Sequence, residues 1–172
     1  VRCVDDDGRT VPTGEPGEVV VRGYNVMLGY LDDDAETAAA IDADGWLHTG
    51  DMAKLRPDGH LVFLGRYKDM LKVGGENVAA AEIEASLQRH PAVKLAQVVG
   101  IPDARYAEVP AAFVELKPGE VATAQELIAH CKAEIAGFKV PRQVRFVTEW
   151  PMSTSKIQKF KLRDELIATL AG

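Results

Sequence analysis

Apolar positions follow two textures along the chain. Up to about residue 65 they come in short runs that alternate with turns. Val1–Val4 and Glu18–Arg22 read as strands, separated by turn residues at Asp7-Gly8 and by the Pro/Gly-rich stretch 12–17. Asp33–Ile41 has acids in its first turn and reads as a short helix. Ala53–Leu55 and His60–Leu64 flank Pro57-Asp58-Gly59 and predict a β-hairpin.

Beyond Gly65 the period lengthens. Ile83 and Leu87 stand four apart in Ala80–Arg89, an amphipathic helix ended by His90-Pro91. Val93–Ile101 and Val109–Leu116 are apolar enough for buried strands. Thr123-Ala-Gln-Glu126 spells a capping box that opens a helix carrying Leu127, Ile128, Cys131 and Ile135, with Gly137 expected to close it. Gln143–Val147 predicts another strand and Lys159–Leu170 a final helix. The fold class is α+β: a small β subdomain over 1–67, then a compact domain over 68–172 with a short sheet and flanking helices.

Composition narrows the function. Hydrophobic residues make up 47% and charged residues 27% of the 172, as in an ordinary globular protein. No apolar run approaches the roughly 20 residues of a membrane span. The first residues lack the features of a signal peptide, so a cytoplasmic location is expected. Cys3 and Cys131 cannot form a disulfide framework, and the four histidines show no zinc spacing, so no metal site is expected within the chain. A net charge of −6 argues against nucleic acid as partner. The charge is uneven: 139–163 holds seven bases and one acid, a local basic face suited to a small anionic ligand.

Five places carry candidate chemistry. Lys156 follows Pro151-Met-Ser-Thr-Ser, a small-residue loop from which a flexible ammonium could reach a transient anion; it could equally be a solvated surface lysine. Asp51 ends Thr49-Gly50-Asp51, where a carboxylate could grip two neighbouring hydroxyls of a ribose or simply cap a turn. Arg66 and Lys68 sit where the texture changes, as a hinge or as a charged loop. Gly74 and Gly75 precede a helix and would let a thin ligand or another backbone approach, or form an ordinary turn. Phe138, Lys139 and Arg142 offer a ring for stacking and two cations for phosphate, or a core ring flanked by surface charge.

Each signal alone is modest, but their order and spacing are specific. Gly-Trp-Leu-His-Thr-Gly-Asp (45–51), the run from Gly65 to Glu84, Phe-Lys-Val-Pro (138–141) and Ser-Lys-Ile-Gln-Lys-Phe-Lys-Leu-Arg (155–163) together resemble the adenylate-forming superfamily. Within it they are most similar to the AMP-forming acyl-CoA synthetases, over about Val1 to Leu166. The resemblance implies a ligase that couples a carboxylic acid, with a fatty acid as the expected class, to CoA at the expense of ATP. Asp51 and Arg66 would hold the ribose, Lys68 would be the hinge, and Lys156 would bridge the acyl carboxylate and the α-phosphate. Gly74 and Gly75 would line the thiol tunnel, and Tyr106, Phe138, Lys139 and Arg142 would contact CoA. Residues 1–67 would be the last β subdomain of a large upstream domain of the same enzyme, and that domain would supply the Mg²⁺ ligand. This chain alone is then expected to be inactive. An adenylation domain loading a carrier-protein thiol and a non-catalytic nucleotide- or partner-binding module are the alternatives. Three positions depart from the usual pattern. Ser155 precedes the lysine in place of Gly, in a loop one residue shorter; Glu76 replaces an Arg of some relatives; Ala107 follows the aromatic residue where Gly is common.

Overall fold

The computed structural model describes residues 1–170, which form two compact units, one from Val1 to Lys68 and one beginning at Asp69. The first is an antiparallel four-stranded meander: β1 (Arg2–Val4), β2 (Pro16–Val21), β3 (Leu47–Leu55) and β4 (Leu61–Arg66), in that spatial order. Helix α1 (Asp34–Ala40) lies in the β2–β3 connection, and the Asp33 carboxylate caps it by accepting the Glu36 N–H at 2.9 Å. The β3–β4 hairpin turns through Pro57-Asp58-Gly59, with Gly59 in the left-handed region (φ 83). Its core is small: Cys3, Val19 and Ala53, flanked by Val11, Val21 and Leu55.

The second unit layers helices on both faces of a five-stranded sheet. The strands are β5 (Met70–Val73), β6 (Glu76–Ala79), β7 (Val93–Asp103), β8 (Ala107–Leu116) and β9 (Gln143–Phe146). They run in the order β6-β5-β8-β7, with β9 pairing parallel to β8. Alternation along β7 and β8 divides the core. Ala96, Val98, Ala112 and Val114 pack with Ile83 and Leu87 of α2 (Ala80–Gln88) and with Leu127 and Cys131 of α3 (Ala124–Glu134). Val99, Ile101, Val109, Ala111 and Phe113 pack with Leu162 and Leu166 of α4 (Lys159–Leu170). A strand covered on both faces must be apolar at successive positions, which is why Val109–Val114 reads as a continuous run. A short separate hairpin, β10 (Met152–Ser153) and β11 (Lys156–Ile157), precedes α4. No helix among the described residues is long and apolar enough to cross a membrane.

The structure corrects or refines several readings. Thr49-Gly50-Asp51 lies within the nine-residue strand β3, not in a turn. Gly74-Gly75 does not lead into a helix; it is the two-residue turn of a β5–β6 hairpin, with Val73 opposite Glu76 and both glycines at positive φ (60 and 92). Helix α3 ends before Gly137, because Ile135 is already extended and Gly137 opens a 3-10 turn over Gly137–Lys139. The basic stretch 139–163 is partly ion-paired, at four of its seven bases. Lys139 pairs with Glu82, Arg145 with Glu165, Lys159 with Glu84 and Arg163 with Glu108.

Candidate active site

In the first unit the chemistry gathers around a bulge. Glu18 of β2 stands opposite Met52, and Val20 opposite His48, so Thr49, Gly50 and Asp51 together face the single residue Val19. Side chains close the unmatched backbone groups. The Thr49 hydroxyl donates to the Val19 carbonyl at 2.7 Å and accepts the Asp51 N–H at 3.1 Å. One Glu18 oxygen accepts the Gly50 N–H at 3.0 Å, and the other lies 2.7 Å from His48 Nδ1. Gly50 sits at φ 68, where a residue with a Cβ would be strained.

Across the sheet Asp51 pairs with Arg66, whose Nε lies 3.5 Å from Asp51 Oδ1. A cleft of about 440 Å³ is lined by Glu18, Thr49, Gly50, Arg66, Tyr67 and Lys68. The Tyr67 hydroxyl donates to the Asp6 carboxylate. That hydrogen bond, with burial and the aspartate's charge, raises the phenol pKa. The sequence places Asp51, Arg66 and Lys68 as site residues; Glu18 it did not show, because its partners lie some 30 residues away in the chain.

In the second unit Gly74, Tyr106 and Arg142 come together. The Gly74 N–H donates to the Tyr106 carbonyl at 2.9 Å, and a Cβ on Gly74 would lie 3.1 Å from the Tyr106 ring. The guanidinium carbons of Arg105 and Arg142 lie 5.1 and 5.6 Å from the ring centroid. Asp103 accepts the Tyr106 and Arg105 N–H groups, which lower its pKa. Ala107 takes φ 64, a left-handed position that glycine adopts at less cost than a residue with a Cβ. Phe138 is half-exposed on the 3-10 turn, and Lys139 reaches both oxygens of Glu82 at 2.8 and 2.7 Å.

Lys156 is fixed by a hairpin and not by a loose loop. It pairs with Ser153 across the turn Thr154-Ser155, in which Thr154 has φ 48. Its side chain is exposed, while Ile157 turns inward onto the Phe113–Leu166 cluster beside Trp150. The Trp150 indole N–H donates to Glu115 at 2.7 Å, and Lys94 donates to the same carboxylate at 2.6 Å; together they lower the Glu115 pKa. None of the ion pairs among the described residues involves Lys156.

Residues 82–156 match the AMP-binding enzyme C-terminal domain. The chain is 49% identical over 159 residues to the 3-[(3aS,4S,7aS)-7a-methyl-1,5-dioxo-octahydro-1H-inden-4-yl]propanoyl:CoA ligase of Rhodococcus jostii (strain RHA1), covering 92% of this chain and 31% of that protein. It is 46% identical over 160 residues to the mitochondrial medium-chain acyl-CoA ligase ACSF2 of Macaca fascicularis, covering 92% of this chain and 26% of the other. Among solved structures, the anthranilate CoA ligase AuaEII in complex with anthranoyl-AMP superposes with a TM-score of 0.89 at 39% identity, over 99% of this chain and 34% of that one. The chain thus spans about a third or less of the length of these relatives. On these matches an AMP-binding enzyme C-terminal domain lies within the second unit, and the chain as a whole is similar to a part of each of these CoA ligases.

Proposed function

We propose that this chain is the C-terminal part of an ATP-dependent acyl-CoA ligase, which converts a carboxylic acid, ATP and CoA to acyl-CoA, AMP and pyrophosphate. The observation that carries the reading is the Asp51–Arg66 pair beside a cleft of about 440 Å³. A carboxylate accepts from two vicinal hydroxyls at once, and a guanidinium donates beside it, so together they suit a ribose. The cleft volume lies within the range of small-molecule sites.

In the first half-reaction an acyl carboxylate oxygen attacks the α-phosphorus, and the bond to pyrophosphate breaks. Negative charge spreads over the phosphoryl oxygens, and the exposed Lys156 ammonium is assigned to offset it. In the second half-reaction the CoA thiolate attacks the acyl carbon, and the bond to AMP breaks. The Gly74-Gly75 turn offers backbone without side chains for the passage of a thin pantetheine arm. Tyr106 and Arg142 are assigned to the CoA nucleotide, with Phe138 and Lys139 as further contacts. Lys68 is assigned as the hinge. ATP brings Mg²⁺, whose ligand we assign to the upstream large domain together with the acid pocket. A fatty acid is the proposed substrate class, supported by the name of the ACSF2 relative.

The test is the full-length enzyme with ATP and a panel of fatty, aromatic and alicyclic acids, followed by CoA or a phosphopantetheinylated carrier protein. The reading expects thioester on CoA with fatty acids. Transfer to the carrier protein alone would favour a carrier-loading domain, and no acid-dependent pyrophosphate release would favour a binding module.

A further inference from the structure

We propose that Glu18 is a positioning residue for ribose recognition, acting through the bulge that presents Asp51; this rests on the ribose role of Asp51 given above. Three residues, Thr49, Gly50 and Asp51, stand opposite one, so the β2–β3 ladder cannot hold them in place. On the β4 side Asp51 is in register with Arg66, but on the β2 side the hold comes from side chains. Glu18 takes the Gly50 N–H at 3.0 Å, and Thr49 spans the Val19 carbonyl and the Asp51 N–H at 2.7 and 3.1 Å.

The Glu18 side chain is only 17% exposed, and its second oxygen is held by His48 at 2.7 Å, so the carboxylate has little freedom to move. Glu18, Thr49 and Gly50 line the same cleft as Arg66. A carboxylate that grips both hydroxyls of a diol must be placed to within a fraction of an ångström, and the residue before it, Gly50, is free to swing in its left-handed conformation unless something holds its N–H. Glu18 supplies that hold from the neighbouring strand.

The consequence is selective. Without Glu18 the enzyme loses its preference for a ribose over a deoxyribose before it loses affinity for the rest of the nucleotide. The experiment titrates MgATP and Mg-2′-deoxy-ATP by calorimetry into the full-length enzyme, without acid, and reads the ratio of the two Kd values. Asp51→Ala sets the ratio of an enzyme without the diol grip. Glu18→Ala is expected to lower the wild-type ratio by about tenfold, the effect of one hydrogen bond to a charged group. Glu18→Gln is expected to restore most of it, because the amide oxygen still accepts the Gly50 N–H and the amide nitrogen can donate to a neutral His48. Should Glu18→Ala fail to fold, Thr49→Val removes the other clasp on the bulge at nearly constant shape and is expected to lower the same ratio. A folded Glu18→Ala or Thr49→Val enzyme that keeps the wild-type ratio while Asp51→Ala loses it overturns the positioning role and leaves the ribose reading intact. An unchanged ratio in Asp51→Ala overturns both.

Discussion

Asp51 and Arg66 face each other directly on β3 and β4, with the arginine Nε 3.5 Å from the aspartate Oδ1. Their side chains are 36% and 52% exposed, so solvent screens the pair and it does little for the fold; such pairs contribute about 0–1 kcal/mol. Arg66 lines the cleft, and the proposed ribose role asks nothing of the pair for the fold. We therefore expect Asp51→Asn and Arg66→Ala to shift the unfolding free energy by less than about 1 kcal/mol. In the full-length enzyme each is expected to weaken ATP binding at least tenfold, roughly the loss of one charge-assisted hydrogen bond. Denaturant melts beside nucleotide titrations check both. Large destabilisation with unchanged ATP affinity would assign the pair to the fold.

The Gly74-Gly75 turn makes a different prediction, because its two glycines are unequal. Both hold positive φ, but only Gly74 faces a neighbour: a Cβ there would lie 3.1 Å from the Tyr106 ring. Gly75 has open space around it. Either alanine strains the backbone by about 1–3 kcal/mol. Gly74→Ala must also push Tyr106 aside. Steady-state kinetics of the full-length enzyme should show a larger rise in KM for CoA for Gly74→Ala than for Gly75→Ala, with adenylate formation little changed in both. Equal effects on the two half-reactions would remove the turn from the thiol site.

Acid is expected to loosen the second unit. Arg89 and Ser86 hold the Glu134 carboxyl below its usual range by hydrogen bonds that tie α2 to α3. Asp103, Glu115 and Glu126 are lowered in the same direction by their own donors. A carboxyl whose folded pKa lies below its unfolded one contributes stability that is complete above the unfolded value, about 4.3 for Glu, and is lost as pH falls through the folded value. Hydrogen-exchange protection of the α2 and α3 amides should therefore hold steady from pH 7 to about 5.5 and decline below about 4.5. Glu134→Gln should lower protection at neutral pH and reduce the loss in acid. A decline of the same size in the variant would assign the acid sensitivity to other groups.

Much of this architecture was legible in the sequence, and the exceptions share a cause. Helices α2, α3 and α4 were readable because each runs for nine or more residues, and strands β7 and β8 because each is a long, mostly apolar run. The capping box at Thr123 and Glu126 formed as spelled, since both partners lie within one turn. The β5–β6 and β10–β11 hairpins were missed because strands of four and two residues are too short to display a period. Thr49-Gly50-Asp51 looked like a turn because its local composition is that of one. Its partners lie far off in the chain: Glu18 and Val19 some 30 residues back, and Arg66 on β4, hold it in the sheet as a bulge. The pairing within the basic stretch was hidden for a similar reason: Lys139 finds Glu82 and Lys159 finds Glu84 at separations of 57 and 75 residues. Charge along a chain does not report which charges the fold will pair.

The most direct test of the central claim is Lys156→Ala in the full-length enzyme, with the two half-reactions measured separately. The side chain is exposed on its hairpin while Ile157 carries the packing, so the substitution should leave the second unit folded. Acid-dependent ATP–pyrophosphate exchange is predicted to fall by about 10²–10³, the usual loss when one preorganised donor to a transition-state charge is removed. Thioester formation from a supplied acyl-AMP should stay within a few-fold of wild type. Equal loss of both half-reactions, or exchange at the wild-type rate, would contradict the role of Lys156 in adenylation.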